Sequence, residues 1–303
     1  NQAGILTDSM YGRARIHAIE AEAMKQDLNS GKIVVLAGFQ GVDNANNITT
    51  LGRGGSDTTA VAIAAALHAD VCEIYTDVEG VSTTDPNIYH KARKINRISY
   101  DETLEMSSMG AKVLQIRSVE FAKKYNVSLH VRSSFSDLPG TIVCQEDEAM
   151  ENVLVSGVTY NKNEAKITIK KIPDRPGIAA RVFSEISKNG IVVDMIIQTP
   201  SSQGGHANLA FTVPSSDYPK ALKMIRKLAK ELEAGDVVGN EDIAKVSIIG
   251  VGMRSHTNVA SKMFVALASE GVNIIMISTS EIKISCLIDA KYTELAVRSL
   301  HDA

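Results

Sequence analysis

The feature of this sequence with the clearest chemical potential is an arginine set between glycines and followed by an aspartate. The run Leu51-Gly-Arg-Gly-Gly-Ser-Asp57 precedes an alanine-rich segment. Glycine lets the backbone approach a ligand closely, and the guanidinium of Arg53 suits a carboxylate or phosphate, which it binds through paired hydrogen bonds. Ser56 is expected to cap a helix from Asp57 to about Leu67, whose free N–H groups favour an anion. The run predicts a cradle for a small anion beside an acidic group. Taken alone, a capped glycine-rich turn with a solvated arginine is the alternative.

The composition of the whole chain is that of an ordinary globular protein. Its 303 residues suffice for two or three domains and a buried core. The formal net charge is −3 and the basic residues are dispersed, so nothing indicates a nucleic-acid partner. No apolar run approaches the roughly 18 residues that cross a bilayer, and no signal peptide is visible. The three cysteines and seven histidines show neither disulfide nor metal-ligand spacing, so we expect no protein metal site and a cytoplasmic location.

The first half of the chain alternates helical and strand-like patterns. The expected helices cover residues 10–28, 57–67, 100–105 and 111–125, and the expected strands cover 33–37, 71–76 and 128–132. Strands separated by helices indicate a mostly parallel sheet covered on both faces. In such sheets ligands bind beyond the carboxyl ends of the strands. The loops at Gly38, Thr76 and Arg132 are therefore the expected ligand sites.

The second half of the chain repeats itself. Asp174–Phe183 aligns with Ser255–Phe264. Further positions coincide in the same register: Gly190 with Gly271, and Met195 with Met276. Each copy predicts the order strand, helix, strand, strand, helix, which is a ferredoxin-like arrangement. The acidic stretch 145–151 before the first copy is interpreted as an exposed connection.

Three motifs in the first half resemble those of the aspartokinases, within the wider amino-acid kinase family. They are the Leu51–Asp57 loop, the turn Thr76-Asp-Val-Glu-Gly-Val-Ser82, and Gly110-Ala-Lys-Val-Leu114. The repeated half resembles the tandem ACT domains of the same enzymes, which are small-molecule sensing modules. Two motifs carry that resemblance: Pro173-Asp-Arg-Pro-Gly-Ile-Ala179 and Ser278-Thr-Ser-Glu-Ile-Lys283.

The resemblance implies an α/β protein with three parts. Residues 1–145 form the carboxyl-terminal part of a three-layer α/β/α amino-acid kinase domain. Residues 146–238 form a linker and a first ferredoxin-like (βαββαβ) ACT domain, and residues 239–303 form a second. Roughly the first hundred residues of a full-length member are absent, with the Lys-Phe-Gly-Gly motif that binds phosphates. If the chain truly starts at Asn1, it is expected not to catalyse by itself; if it is a piece of a longer enzyme, that enzyme is expected to be active.

The resemblance also implies a reaction. Aspartokinases transfer the γ-phosphoryl group of ATP, bound with Mg²⁺, to the β-carboxylate of L-aspartate, giving 4-phospho-L-aspartate in the first step of lysine, threonine and methionine biosynthesis. Arg53 and Asp57 are carried over as catalytic residues, with Gly54, Gly55 and Ser56 completing the aspartate site. The residues carried over to ATP are Thr76, Asp77, Gly80, Ser82, Asn87, Lys112 and Val113. Ser82 and Asn87 replace the family's usual tyrosine and arginine, so weaker ATP binding or compensation from elsewhere is expected.

The ACT pair implies feedback inhibition by lysine, threonine or both, and a homodimer formed through the ACT sheets. In the first copy, the helix after Pro176-Gly177 offers N–H groups to a ligand carboxylate. The effector residues implied are Asp174, Pro176, Gly177, Ile178, Ala179, Asp194, Gln198, Val259, Asn273 and Ile274. The aspartates are expected to hold a ligand ammonium. The second copy reads His256-Thr-Asn-Val-Ala260 instead of the usual His-Pro-Gly-Val-Ala, which leaves its ligand binding open.

Two other interpretations remain. A non-catalytic regulatory subunit, made of the ACT half of an aspartokinase, would begin near residue 140, whereas this chain has a long kinase-like part before it. Another amino-acid kinase, for glutamate or acetylglutamate, does not account for Ser278–Lys283. The coding sequence upstream of Asn1 discriminates the aspartokinase from the regulatory subunit, because a Lys-Phe-Gly-Gly motif there supports the enzyme.

Overall fold

The structure of the protein is a computed structural model. It describes residues 4–108, 113–200 and 204–303, except for the side chain of Glu151. The strands are β1 Ile5–Thr7, β2 Ile16–Ile19, β3 Gln40–Val42, β4 Ile48–Thr50, β5 Cys72–Thr76, β6 Arg97–Ser99, β7 Leu129–Ser133, β8 Thr141–Cys144, β9 Gly157–Asn161, β10 Glu164–Pro173, β11 Ile196–Pro200, β12 His206–Pro214, β13 Val237–Asn240, β14 Ile243–Ile249, β15 Met276–Thr279 and β16 Lys283–Asp289. The helices are α1 Glu22–Asn29, α2 Gly55–Leu67, α3 Tyr100–Ser108, α4 Ile116–Tyr125, α5 Glu148–Glu151, α6 Ile178–Lys188, α7 Tyr218–Glu231, α8 Val259–Ser269 and α9 Thr293–Asp302.

The chain folds as two compact units. The first consists of Asn1–Thr159, Ile248–Ala260 and Glu281–Lys283, and the second of Tyr160–Ser247, Ser261–Ser280 and Ile284–Ala303. No helix in the described ranges is both long enough and apolar enough to cross a bilayer.

The first unit contains two four-stranded mixed sheets. The order of one is β5-β7-β8-β6, with β5 parallel to β7, β6 parallel to β8, and β7 antiparallel to β8. The order of the other is β2-β1-β3-β4, with β1 parallel to β3. Helix α4 contacts both α2 and α3. Their apolar faces and the β5-β7-β8-β6 sheet share one buried core, whose members include Val61, Ile98, Tyr100, Val119, Leu129 and Val131.

Two elements predicted for the first unit were wrong, and the helix expected over residues 111–125 begins only at Ile116, because Gln115 before it is extended. The helix expected over residues 10–28 is replaced by β2 and the shorter α1, because the backbone of β2 pairs with β1 instead of closing helical turns. The segment 33–37 is apolar but is not a strand. A strand needs a neighbour for its N–H and C=O groups, and no described strand pairs with this segment, where Ile33 and Val35 are 91% and 90% exposed.

Asp43 organises the turn between β3 and β4. Its buried carboxylate accepts hydrogen bonds from the backbone N–H of Asn47 at 2.9 Å and of Ala45 at 3.0 Å. The hydroxyls of Tyr11 and Ser9 also donate to it, at 2.9 Å and 3.1 Å. These hydrogen bonds, led by the Asn47 N–H, lower the pKa of Asp43 to about 2, because each stabilises the ionised carboxylate.

We expect Asp43→Asn to destabilise the protein at neutral pH, and the loss to shrink in acid. The folded-state pKa of Asp43 lies below the value of about 3.9 in an unfolded chain. The stabilisation from the carboxylate is therefore fully present above about pH 4 and disappears as the pH falls through about 2. Urea unfolding of wild type and variant at several pH values measures the difference. Asp27→Asn is the matched control, because the Asp27 carboxylate is half-exposed and pairs only with Lys32 among the described side chains. A destabilisation by Asp43→Asn that stays constant down to about pH 2 would contradict the argument.

The repeated half of the chain forms two sheets of the kind that the repeat predicts. The order of the first sheet is β11-β12-β10-β13, antiparallel throughout, and its core includes Ile167, Val182, Leu209, Phe211 and Ile225. The order of the second sheet is β15-β16-β14-β9. Strand β9 precedes the first copy in the chain but lies at the edge of the second sheet, so the first copy is inserted between β9 and β14. The boundary predicted at 238/239 falls inside β13.

Candidate active site

The glycine-rich loop leads directly into α2. Gly52 and Gly54 have φ values of +80° and +70°, a left-handed conformation that glycine tolerates best. Gly54 is the N-cap and the helix begins at Gly55, so the prediction that Ser56 caps the helix was wrong. The left-handed turn at Gly54 starts the helix earlier, and the N–H of Thr58 already bonds to the Gly54 carbonyl at 3.1 Å. The predicted end at Leu67 is confirmed.

The two charged residues of the loop differ in environment. Arg53 is exposed, and no carboxylate among the described residues lies within ion-pair distance of it. Asp57 is half-buried in the first turn of α2, and burial raises the pKa of its carboxyl. The N–H of Gly55 donates to the Gly52 carbonyl at 2.9 Å, which leaves those of Gly54 and Ser56 as backbone donors. The loop therefore offers an accessible cation for a carboxylate and a partly desolvated anion for an ammonium.

Cys72 of β5 does not add a nucleophile to this site. The side chain is buried, and burial raises the pKa of the thiol to about 11, with a smaller contribution from the charge of Asp57. Because the thiolate is the reactive form, Cys72 is unreactive near neutral pH.

Phe39 is a candidate site residue that the sequence analysis did not identify. Its φ of +72° is unusual for a bulky side chain and is held by two hydrogen bonds. The Phe39 N–H donates to Thr59 Oγ1 at 3.1 Å, and its carbonyl accepts from the Leu51 N–H at 2.9 Å. A Cβ at Gly55 would lie 2.9 Å from the Phe39 ring, so the ring borders the loop. A signal was available, since Phe39 follows Gly38 in a loop expected to hold ligand.

Gly54→Ala is expected to disrupt this loop. An added Cβ would lie 1.9 Å from Cγ of Gln115, and the left-handed backbone would be strained as well. We expect a loss of about 2–4 kcal/mol in the free energy of unfolding and weaker substrate binding. Gly31→Ala is the matched control, because Gly31 has a similar φ of +80° with no atom within 4 Å of its added Cβ. Denaturant unfolding compares the two, and equal destabilisation would show that the Gln115 contact is unimportant.

The second predicted motif forms a turn at the end of β5. Thr76 ends the strand as predicted, and its hydroxyl donates to Asp77 Oδ1 at 3.1 Å. Gly80 has a φ of +138°, and a Cβ there would lie 2.5 Å from Thr141 Oγ1, so only glycine fits.

The two departures from the family motif have local structural roles. Ser82 forms an isolated antiparallel bridge with Lys94. The backbone N–H and side-chain amide of Asn87 both donate to Asp85 Oδ1, at 2.9 Å and 3.0 Å, which closes a turn. Lys112 lies outside the described residues, and Val113 packs half-buried against the core of the first unit.

Glu102 is a buried carboxylate that the sequence analysis did not single out. Glu102 Oε2 accepts from the backbone N–H and hydroxyl of Ser99, and the Glu102 N–H donates back to that hydroxyl, which is a capping box at the start of α3. Glu102 Oε1 accepts from the Ser156 hydroxyl at 2.5 Å and the Val251 N–H at 3.0 Å. The pattern Ser99-Tyr-Asp-Glu102 is a readable signal for the cap, but not for the last two contacts.

The second unit brings together some of the predicted effector residues. Helix α6 begins at Ile178 after Gly177, whose φ is +91°, so its amino terminus is available as expected. The Gln198 side chain donates to Asp174 Oδ1 at 3.3 Å. Two other predicted effector residues lie beside this helix start: Pro176 is exposed and Ala179 is half-buried. Val259 is buried at the start of α8. Asn273, which is exposed, and Ile274, which is half-buried, precede β15.

Asp194 has a partner that the sequence analysis did not foresee. Its carboxylate pairs with the ammonium of Lys245, which is buried in β14 and also lies 2.5 Å from Glu164 Oε1. A ligand ammonium would therefore meet a carboxylate that already has a cation. A lysine within the apolar run Ile243–Ile249 was the signal in the sequence, because a buried lysine requires a counter-ion.

Comparisons with known proteins agree with this architecture. Residues 2–133 match the amino acid kinase family, and residues 167–233 and 246–303 each match an ACT domain. The aspartate kinase of Stutzerimonas stutzeri is 54% identical over 304 residues, which cover 100% of this chain and 74% of that protein. The aspartokinase of Helicobacter pylori (strain J99) is 51% identical, with 99% of this chain and 74% of that protein covered.

Solved structures give the same result. The aspartate kinase of Clostridium acetobutylicum superposes with a TM-score of 0.86 at 26% identity, covering 99% of this chain and 69% of that one. E. coli aspartokinase III, in complex with aspartate and ADP in its R-state, superposes with a TM-score of 0.78 at 30% identity, covering 99% and 68%. An amino acid kinase part followed by two ACT domains, and relatives that are half identical along the entire chain, place this chain in the aspartokinase family of kinases.

Proposed function

We propose that this protein transfers the γ-phosphoryl group of ATP to the β-carboxylate of L-aspartate. The bond between the γ-phosphorus and the bridging oxygen breaks, a carboxylate oxygen forms the new P–O bond, and 4-phospho-L-aspartate and ADP leave. The observation that carries the proposal is the exposed Arg53 on a left-handed glycine loop, with the half-buried Asp57 in the helix turn that follows. The aspartate and ADP bound to E. coli aspartokinase III support it.

The two charged residues of the loop have distinct roles in this proposal. The guanidinium of Arg53 binds a carboxylate of aspartate through paired hydrogen bonds, and Asp57 accepts the substrate ammonium. The charge of that ammonium favours the ionised form of Asp57 and so offsets the burial that raises its pKa. Phosphoryl transfer depends on positioning and on neutralising charge, which these contacts supply on the acceptor side.

The nucleotide site is assigned to the turn after β5 and to the Gly110–Leu114 motif. Thr76, Asp77, Gly80, Ser82 and Asn87 border that turn, and Lys112 supplies a cation for phosphate. Mg²⁺ arrives as part of the nucleotide, because phosphate oxygens are its usual ligands in such sites. Among the described residues no group of three or more His, Cys, Asp or Glu side chains could hold a metal ion by itself.

We further propose that lysine, threonine or both inhibit the enzyme through the first ACT copy. The amino terminus of α6 would bind the effector carboxylate, while Asp174 and Gln198, which are already hydrogen-bonded, would bind its ammonium. E. coli aspartokinase III has been solved with lysine and aspartate in its T-state, which supports lysine. This control suits the first step of lysine, threonine and methionine biosynthesis, in the cytoplasm, where the free thiols Cys72, Cys144 and Cys286 would stay reduced.

A homodimer is the proposed assembly. Strand β11 lies at the edge of the first ACT sheet and carries Ile196, which is 52% exposed, while Val192 just before it is 69% exposed. An open edge with apolar side chains suits pairing with a second copy.

The activity can be tested by measuring ADP formation with aspartate, glutamate or acetylglutamate as acceptor. Hydroxylamine traps an acyl phosphate as a hydroxamate, so the trapped product identifies the acceptor carboxylate. We expect turnover with aspartate as the acceptor, and none with glutamate or acetylglutamate. Turnover with glutamate or acetylglutamate would favour the other amino-acid kinases. Lysine or threonine binding by calorimetry, with no turnover of any acceptor, would favour the regulatory-subunit interpretation.

A further inference from the structure

Arg117 connects α4 to the acceptor loop. It is the second residue of α4 and is half-buried. Its Nη1 donates to the Leu51 carbonyl at 2.8 Å, and its Nη2 donates to the Ala14 carbonyl at 3.0 Å. The planar fork of a guanidinium can span two carbonyls at once, which the single ammonium of a lysine does less well.

The two carbonyls belong to segments that already pack together. The Ala14 N–H donates to the Thr50 carbonyl at 2.9 Å. A Cβ at Gly52 would lie 2.7 Å from the Gly12 carbonyl oxygen, so residues 12–14 run along the start of the loop. Arg117 joins these two segments to helix α4. Leu51 is fully buried and immediately precedes Gly52-Arg53-Gly54. The orientation of the Leu51 carbonyl therefore influences the direction in which the Arg53 side chain projects from the loop.

A second side chain near the start of α4 also contacts the acceptor loop. Gln115, just before α4, packs against Gly54, as the 1.9 Å approach of an added Cβ to Gln115 Cγ shows. Gln115 directly follows Gly110–Leu114, the motif assigned to ATP. The acceptor loop is thus held by side chains at positions 115 and 117, within a few residues of the nucleotide motif.

We propose that Arg117 is a positioning residue for phosphoryl transfer: it fixes the orientation of the Leu51–Gly54 loop, acting through the Leu51 carbonyl. The inference rests on the proposed aspartate kinase activity. Loss of this contact leaves the loop folded but misaligned, and small misalignments of reacting groups are costly to catalysis.

The test uses Arg117→Met and Arg117→Lys in the active protein, with Arg298→Met as the matched control on the exposed face of α9. For Arg117→Met we expect the aspartate KM to rise about 10-fold and kcat to fall about 10-fold, with the ATP KM within about twofold of wild type. Arg117→Lys should retain part of the activity, and Arg298→Met all of it. In a third variant, Arg117→Ala, millimolar methylguanidinium should partly restore activity, because it can donate to the same two carbonyls.

Thermal unfolding of each variant separates positioning from folding. Kinetic losses that merely follow the unfolded fraction at the assay temperature would overturn the inference, and so would an equal rise in the KM for ATP and aspartate. Unchanged kinetics in Arg117→Met, with a wild type that phosphorylates aspartate, would overturn it while leaving the proposed function intact. A wild type that phosphorylates another acceptor or none would overturn the proposed function itself, and with it this inference.

Discussion

Arg53→Ala is expected to lower kcat/KM for aspartate by about 100- to 1000-fold, or about 3–4 kcal/mol of transition-state stabilisation, because a bidentate guanidinium–carboxylate pair is lost. Arg53 is exposed and pairs with no described carboxylate, so its removal leaves no buried group unsatisfied. The protein should therefore keep its thermal stability, and the effect should be confined to kinetics. Initial rates at varied aspartate and saturating ATP measure it.

Two controls make the Arg53 result interpretable. Arg53→Lys keeps the charge but loses the fork, so we expect a smaller loss of about 10-fold. Arg298→Ala, on an exposed helix face, should match wild type. Lysine or threonine binding should be unaffected in Arg53→Ala, since the effector residues proposed in the first ACT copy belong to the other compact unit. Wild-type kinetics in Arg53→Ala would refute the assignment of this loop as the aspartate site.

Glu102→Ala is expected to lower the free energy of unfolding by about 3–5 kcal/mol, the largest stability effect that we predict. The Glu102 carboxylate is 1% exposed and accepts hydrogen bonds from Ser99, Ser156 and Val251. Truncation leaves the buried N–H groups of Ser99 and Val251 and the Ser156 hydroxyl without their acceptor, and also removes the capping box of α3. Urea or guanidinium unfolding at neutral pH measures the loss.

Glu105→Ala on the same helix is the matched control for Glu102. Glu105 pairs with Lys283 at 2.7 Å, but both side chains are partly exposed, at 27% and 20%. Solvent screens such a pair, so the expected loss is at most about 1 kcal/mol. Glu102→Gln keeps the shape and should fall between the two alanine variants, because its amide must turn a donor toward one of the Glu102 donors. Equal unfolding midpoints for Glu102→Ala and Glu105→Ala would show that the buried network contributes nothing.

The sequence alone determined those features that depend on residues close together along the chain. The Leu51–Asp57 loop, the helix ending at Leu67, the turn after Thr76 and the repeated copies were all readable. Each is encoded within about a dozen residues, where glycine conformation, capping and periodicity act directly. The capping box at Ser99 and Glu102 was encoded in the same way and could have been predicted.

Only the tertiary structure decided which distant groups meet. Arg117 reaches Leu51 across 66 positions, Glu102 reaches Val251 across 149, and Lys245 reaches Asp194 across 51. The prediction of a strand over the apolar segment 33–37 was wrong for the same reason, because a strand forms only where another strand supplies its hydrogen-bond partners. The sequence thus predicted that Arg53 and its glycines form an anion cradle. The folded chain determined that Arg117 and Gln115 hold that cradle, because contacts between distant segments depend on how all the elements pack.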